Sequence, residues 1–524
     1  ICNPRAKAPL LNLLELATRA EDYVRAIEHL KALHGIEDDE RSKSMYAMSI
    51  GVIYRDRLKD PMRAVEYLEL CLDHDPTRKK AFQSIKSLLR GRSPHLLEQC
   101  YKRMILRVRD ALGHFEEPDA VLFPLYRELG DLFARGLVEP NRALEAYEAA
   151  LKVQPLDGPT LRTFVTLCEK LGKYEPAAEA CRIRVKSIQD DFGSYRKLAH
   201  LYRKMGETDR AWLVSGLLCA LGHADSSEAS FYSEYVPVAP AQLRPWDERI
   251  WAQMVVGPKD VPRLGPVLAL LYEVLGDSFC TDDIKQFGLQ SRDKVTLGET
   301  PAVAQLQQLS DTLGVTCPTL YHDPSIRGVE LLPIIPGAIR AGTEALALAG
   351  TAQGTFLMAR ALTYLHPWHL LATLYDDLHI GILLRVAAAN VTRHFAWDGL
   401  SYEEAGQYKR RTLKKLVTTL RRALSERITP AQRGRLVELM SPFIRATTAP
   451  DVAAWRLLVE RTTNHVGVTV AGDVNLVAGI LRLQGAGSSY LSVDERIRDL
   501  VLWVLSRRFL KVRQILGLEA KPRV

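Results

Sequence analysis

The sequence predicts a mainly α protein, a helical solenoid followed by a mostly helical domain with a small β-sheet. Three observations lead there. Ala143, Ala177 and Ala211 lie 34 residues apart, within segments whose apolar residues recur at helical intervals, and a fixed period of this length marks stacked helix–turn–helix units. The pattern stops at Gly222, where HADSSEASFYSEYVPVAPAQLRP is rich in Ser, Ala and Pro and carries no helical stripe. Beyond it, only two short apolar runs, TLYHD (319–323) and VELLPII (329–335), interrupt the helical segments and read as strands. The expected organisation is a solenoid over 8–222, an extended linker over 223–245 and a helical domain over 246–524.

The best copy of the repeat runs Tyr126, Leu129, Gly130, Phe133, Ala143, Tyr147, Ala150 and Pro155. The next two give Leu161, Leu171, Gly172, Tyr174, Ala177 and Cys181, then Tyr195, Leu198, Tyr202, Gly206 and Ala211. Small residues at the alanine positions let two helices approach closely, and the larger ones fill the space between neighbouring pairs. These residues resemble the tetratricopeptide repeat, with one extra residue in the turn before Pro140. Residues 46–76 repeat the theme through Gly51, Tyr54, Ala64, Tyr67 and Pro76, and their turn LKDPMRA carries the same insertion as LVEPNRA. A degenerate first unit around Ala26 and a divergent copy around Leu97 and Tyr101 bring the count to five or six.

In the second half, helices are expected over 261–275, 300–313, 341–365, 369–392, 401–427, 430–447, 450–469 and 493–515, the last opened by a capping box of Ser492 and Glu495.

Composition sets the outer bounds. Hydrophobic content of 47% and charged content of 25% are those of a globular protein, and a net charge of +8 over 524 residues is too mild to argue for nucleic acid. No apolar run reaches the length of a membrane span. No secretory signal opens the chain, and Ile1 in first place suggests a piece of a longer one. The eight cysteines form no CxxC pair, and several take repeat positions that want a small apolar residue, which points to a reducing, cytoplasmic setting. No nucleotide loop, catalytic triad or metal quartet is present in the sequence, so neither cofactor nor metal is expected.

LSDTLGVTCPTLYHDPSIRGVELLPIIPGAIRAGTEAL, then TFLMARALTYLHP, then VERTTNHVGVTVAGD follow one another in an order that resembles HtpX-like gluzincin metallopeptidases over roughly residues 255–490. In that family two strands lead to a helix F-x-x-x-H-E-x-x-H, whose histidines hold zinc while the glutamate activates water, and a later E-x-x-x-D motif supplies the third ligand. The resemblance places Arg360 and Tyr364 at the histidines, Ala361 at the catalytic glutamate, Glu460 at the third ligand and Asn464 at the aspartate. Arginine is a permanent cation and alanine takes no proton, so a zinc-less, inactive domain with a vestigial site of Arg360, Tyr364 and Glu460 is implied. An ion pair between Arg360 and Glu460 is the expected substitute for the metal.

Two other constellations offer rival functions. His366, His369 and His379, near Asp376, could serve a zinc hydrolase, although Pro367 breaks the helix and His369 and His379 are ten residues apart. The stretch 408–427, with Lys409, Arg410, Arg411, Lys414, Lys415, Arg421, Arg422 and Arg427, could touch nucleic acid or an anionic surface. Its single stripe of Leu413, Leu416, Val417, Leu420 and Leu424 equally describes an amphipathic helix with a basic wet side.

In tetratricopeptide arrays the first helix of each pair lines a concave groove. Carried over from that resemblance, the fifth groove position is Arg127, Arg162 and Arg196, and the twelfth or thirteenth is Arg135, Lys170, Arg203 or Lys204. The asparagine that a carboxylate clamp uses at the ninth position is here Asp131, Thr166 and His200. The expected function is a non-catalytic scaffold whose basic groove binds an acidic segment of a protein partner, without nucleic acid, as part of a larger assembly of a bacterial kind.

Overall fold

The computed structural model describes residues 7–523 except 238–243, 256, 258–260, 277–282, 297, 299, 333, 335–336, 393–396, 398–409, 447–448 and 486–489; Lys409 and the cysteines at 2 and 280 lie outside the described residues. The chain divides into two compact units, Ile1–Ser187 and Ile188–Val524.

The first unit is five helix–turn–helix pairs: Lys7–Arg19 with Tyr23–Ile36, Glu40–Asp56 with Pro61–His74, Lys79–Leu89 with Pro94–Asp110, Pro118–Asp131 with Pro140–Val153, and Gly158–Lys170 with Tyr174–Ser187. Helix starts are written in the sequence. Asp22, Asp39, Asp60 and Asp157 accept backbone N–H groups of the first turn, and Pro61, Pro94, Pro118 and Pro140 occupy first-turn positions where no donor is lost. Ala26, Ala64, Ala143 and Ala177 are fully buried where the paired helices meet. A Cβ on Gly130 would lie 2.7 Å from the Tyr147 ring, so that glycine sets how closely its pair can pack.

The inserted residue has a specific structural form. In the turn after an ordinary repeat helix, a backbone N–H returns five residues, as from Lys173 to Cys168 (2.9 Å). In the two insertion turns it returns six, from Asp60 to Tyr54 (2.9 Å) and from Glu139 to Phe133 (2.8 Å). The extra residue is taken up in a π-helical turn, Leu132–Gly136, in the second of these.

The second unit begins with a further helix pair, Phe192–Lys204 with Thr208–Ala220. It is fixed there by Arg513, 1% exposed, whose guanidinium donates to both oxygens of Asp209 (2.6 and 3.0 Å). The segment after Gly222, expected to run extended, instead holds a two-turn helix, Ser226–Ser233. The physical signal is a capping box, Asp225 with Glu228, inside a polar stretch that has no apolar stripe. Trp212 Nε1 then donates to the Tyr232 carbonyl (3.1 Å) and anchors the turn that follows.

Both expected strands form, as Thr319–His322 and Val329–Leu332. A third, Ala338–Ala341, lies between them, parallel to the first and antiparallel to the second, which leaves Val329–Leu332 at an edge. Most remaining helices follow the expected series, with 341–365 split into Thr343–Ala347 and Ala352–Tyr364, 369–392 into Leu371–Leu374 and Asp377–Val391, and 493–515 into Val493–Val504 and Arg507–Leu516; of 401–427 the described part is Arg410–Arg427, and Glu248–Met254 and Val474–Gln484 are helices outside that series. The chain is mainly α: a tetratricopeptide-type helical solenoid followed by a mostly helical domain with a small sheet.

Candidate functional site

The basic residues of the repeats fall into two sets. In the first unit, acidic side chains on neighbouring pairs are already taken up: Glu69 by Arg107 (2.7 Å), Glu98 by Lys102 (2.8 Å) and Arg142, and Glu128 by Lys86 (2.8 Å). Among the described residues, Arg127, Arg135, Arg162 and Lys170 have no carboxylate within ion-pair distance. Arg127 is half-buried over the Phe123 ring (5.7 Å), whereas Arg135, Arg162 and Lys170 are exposed. Nη1 of Arg162 and Nη2 of Arg184 both stand near Gly158, 3.4 and 3.3 Å from where its Cβ would be, so two cations converge at the start of one repeat helix.

In the second unit the corresponding residues face the chain itself. Arg196 Nη2 donates to the His223 carbonyl (2.7 Å), and its Nε stands 3.7 Å from Glu228 and 3.9 Å from Asp225. Arg203 lies over the Phe231 ring at 5.0 Å, and Lys204 is exposed.

The structure also brings Arg360, Tyr364 and Glu460 together, on the wall of a cavity of about 880 Å³ in the second unit. Leu357, Arg360, Ala361 and Tyr364 fall on one stripe of the Ala352–Tyr364 helix, while Arg456 and Glu460, one turn apart, come from Val452–Ala471. A Cβ on Gly467 would lie 2.6 Å from the Phe356 ring, so these two helices cross where one has no side chain. The edge strand contributes Val329, Glu330 and Leu331, and the Val493–Val504 helix contributes Arg496.

The contacts differ from expectation at one point. Glu460, 3% exposed, accepts from the Tyr490 backbone N–H (2.8 Å). Arg360 does not pair with it but donates to Gln484 Oε1 (3.1 Å), an acceptor on Val474–Gln484, a helix the sequence reading missed. Arg496 is 2% exposed and donates to the Gly485 carbonyl; burial and the nearby Arg360 hold its pKa below the ordinary arginine value, with Glu460 opposing. Arg456 donates to the Tyr375 carbonyl (2.8 Å) and to Asp377 (3.1 Å) and lies 4.8 Å from the Tyr490 ring. The Nε atoms of Arg360, Arg456 and Arg496 are buried without a hydrogen-bond partner among the described residues. Zinc does not fit this donor set, because one carboxylate is surrounded by guanidinium groups that repel a cation.

The histidines do not form a metal centre. His366 and His369 pack on Trp251 at 4.3 and 6.1 Å, His369 Nδ1 bonds the Thr363 carbonyl (3.0 Å), and His379 Nδ1 bonds Asp376 at a helix start (2.6 Å). Among the described residues no three His, Cys, Asp or Glu side chains gather as metal ligands. Of the basic stretch 408–427, the described part is the helix Arg410–Arg427, with Leu413, Leu420 and Leu424 in the core and Arg411, Lys414, Lys415, Arg421, Arg422 and Arg427 exposed. Among the described residues no helix is long and apolar enough to cross a membrane.

The sequence matches no family model and no curated protein. Among solved structures, that of MamA is 17% identical with a TM-score of 0.21, over 38% of this chain and 94% of that one. A tetratricopeptide repeat protein from Parabacteroides merdae ATCC 43184 is 17% identical with a TM-score of 0.19, over 42% and 80%. Naa15/Naa10 bound to HypK-THB is 12% identical with a TM-score of 0.22, over 90% of this chain and 64% of that one. Likeness at this level carries no argument about activity or partner.

The cavity residues that sequence reasoning missed are Arg456, Tyr490 and Arg496. Arg456 precedes Glu460 by one helical turn, a spacing visible in the sequence, but Arg496 reaches the site from a helix whose placement no local pattern gives.

Proposed function

We propose that this chain is a non-catalytic protein–protein interaction scaffold whose repeats bind an acidic segment of a partner protein. The observation that carries the reading is the set Arg127, Arg135, Arg162 and Lys170: basic side chains on successive repeats with no carboxylate in ion-pair reach among the described residues, while acids of neighbouring pairs are already matched. The contact of Arg196 with Asp225 and Glu228 supports it, since there a repeat arginine of the same position meets an acidic helix start of its own chain. Guanidinium forks bind carboxylates with direction as well as charge. The solenoid spans 8–222, a connecting segment 223–245, and the remainder, 246–524, is a domain shaped like a gluzincin peptidase that holds no zinc and cleaves nothing. The buried cysteines of the repeats, Cys71, Cys100 and Cys168, whose thiols are not in disulfides, suit a reducing, cytoplasmic setting within a larger assembly.

Fluorescence anisotropy of a labelled oligoglutamate peptide tests the reading. The parent chain should bind it with an affinity that falls as salt rises, and a chain carrying Arg127→Glu and Arg162→Glu should lose at least about tenfold. Equal binding by both would refute it. Arg196 is left intact in the test because its contacts are internal.

A further inference from the structure

The cavity between the edge strand Val329–Leu332 and the helices Ala352–Tyr364 and Val452–Ala471 has a charge pattern that the proposed role of the repeats does not use. Arg360 and Arg496 both line it, each with a buried Nε that has no hydrogen-bond partner among the described residues, and among those residues neither has a carboxylate within ion-pair distance. Arg496 is 2% exposed, and a guanidinium this deeply buried is destabilising unless an anion answers it. Of the acids on the wall, Glu330 is held by Arg340 (2.7 Å), Glu344 is exposed, and Glu460 accepts from the Tyr490 N–H. With Arg456 matched by Asp377 (3.1 Å) and Arg327 and Glu344 offsetting one another at exposed positions, Arg360 and Arg496 against the buried Glu460 leave one positive charge over.

Part of the wall is apolar, formed by Leu331, Leu348, Leu357, Ile480 and Leu483, beside polar side chains of Thr373, Gln484 and Tyr490. Leu483 is 87% exposed, a large apolar side chain presented beside the cavity. A volume of about 880 Å³ is that of a site for a small organic molecule.

We propose that this cavity binds an organic carboxylate with an apolar body, its single negative charge held by Arg360 and Arg496 and its chain lying along the leucines. A monoanion matches the one unbalanced charge, whereas a doubly charged inorganic phosphate would exceed it beside Glu460 and would leave the apolar wall uncovered. The proposal is independent of the repeat face, so failure of either leaves the other standing.

Isothermal titration of the full chain with sodium decanoate, sodium acetate and inorganic phosphate decides it. Decanoate should saturate one site per chain, at least about tenfold tighter than acetate or phosphate, because it alone covers the apolar wall. Arg360→Gln should weaken decanoate about tenfold, the loss of one charge-assisted contact; Glu460→Gln, which removes the competing carboxylate, should tighten it. Should either variant fail to fold, Leu483→Glu at its exposed position serves in its place, and it too should weaken decanoate. No saturable decanoate site, undiminished binding in both Arg360→Gln and Leu483→Glu, or phosphate binding as tight as decanoate would each overturn the proposal.

Discussion

His366 and His369 are built into the fold as neutral rings. Burial against Trp251, with His369 adding its charge, takes His366 down to about 3, and burial takes His369 down to about 4 despite its bond to the Thr363 carbonyl. As pH falls through about 6.5, the unfolded chain takes up protons on both imidazoles while the folded chain takes up none until about pH 4, so stability is complete above about pH 6.5 and drains away between there and about pH 4. His366→Phe keeps a ring against Trp251 and removes one of those protons. Urea midpoints measured from about pH 7 to pH 5 should fall less steeply for the variant than for the parent; parallel slopes would mean that His366 is not neutral in the fold. The same residues show how a sequence can mislead. Three histidines near a carboxylate suggest a metal, but their spacing in the chain says nothing of Trp251, which lies far upstream and supplies the surface they pack on.

At the scale of elements, the turns inside the repeats obey one rule. The residue five before the repeat alanine is left-handed each time: Glu21 (φ 56°), Lys59 (54°), Val138 (56°), Gly172 (69°) and Gly206 (74°). Glycine meets this at no steric cost, but a β-branched residue does not. Val138 is 76% exposed, so no burial of its side chain offsets the strain. Val138→Gly should therefore stabilise the first unit by about 1 kcal/mol, the strain of a left-handed residue less the extra freedom of glycine in the unfolded chain. Thermal melting would show it, and a lower midpoint would contradict the turn geometry. This rule was half legible. The shared insertion was plain from aligning LKDPMRA with LVEPNRA, but its absorption by a longer hydrogen-bonded return, not by a looser loop, depends on backbone geometry that residue types do not encode. Likewise the strands with branched and aromatic residues were readable, while Ala338–Ala341 was not: two alanines between glycines have little strand character, and its central place in the sheet is what makes it a strand.

At the scale of the whole chain, periodicity gave the repeats away because each helix pair buries its own alanine and fills the next groove, a local relation. The second half has no such period. Its cavity is assembled from a strand and several helices between residues 327 and 496, so the meeting of Arg360 with Glu460 was foreseeable only through motif order, and the meeting of Arg360 with Arg496 was not foreseeable at all. The sixth helix pair follows the repeat rule in sequence yet belongs to the second unit, because Arg513, three hundred residues on, closes on Asp209. The central claim, a scaffold that reads acid through its repeats, is tested most directly by crosslinked capture from native lysate. The parent chain is compared with one carrying Arg127→Glu and Arg162→Glu and with one carrying Arg360→Gln. A protein partner held by the parent and by Arg360→Gln but lost from the double variant is the expected result; the same partner held equally by all three would contradict it.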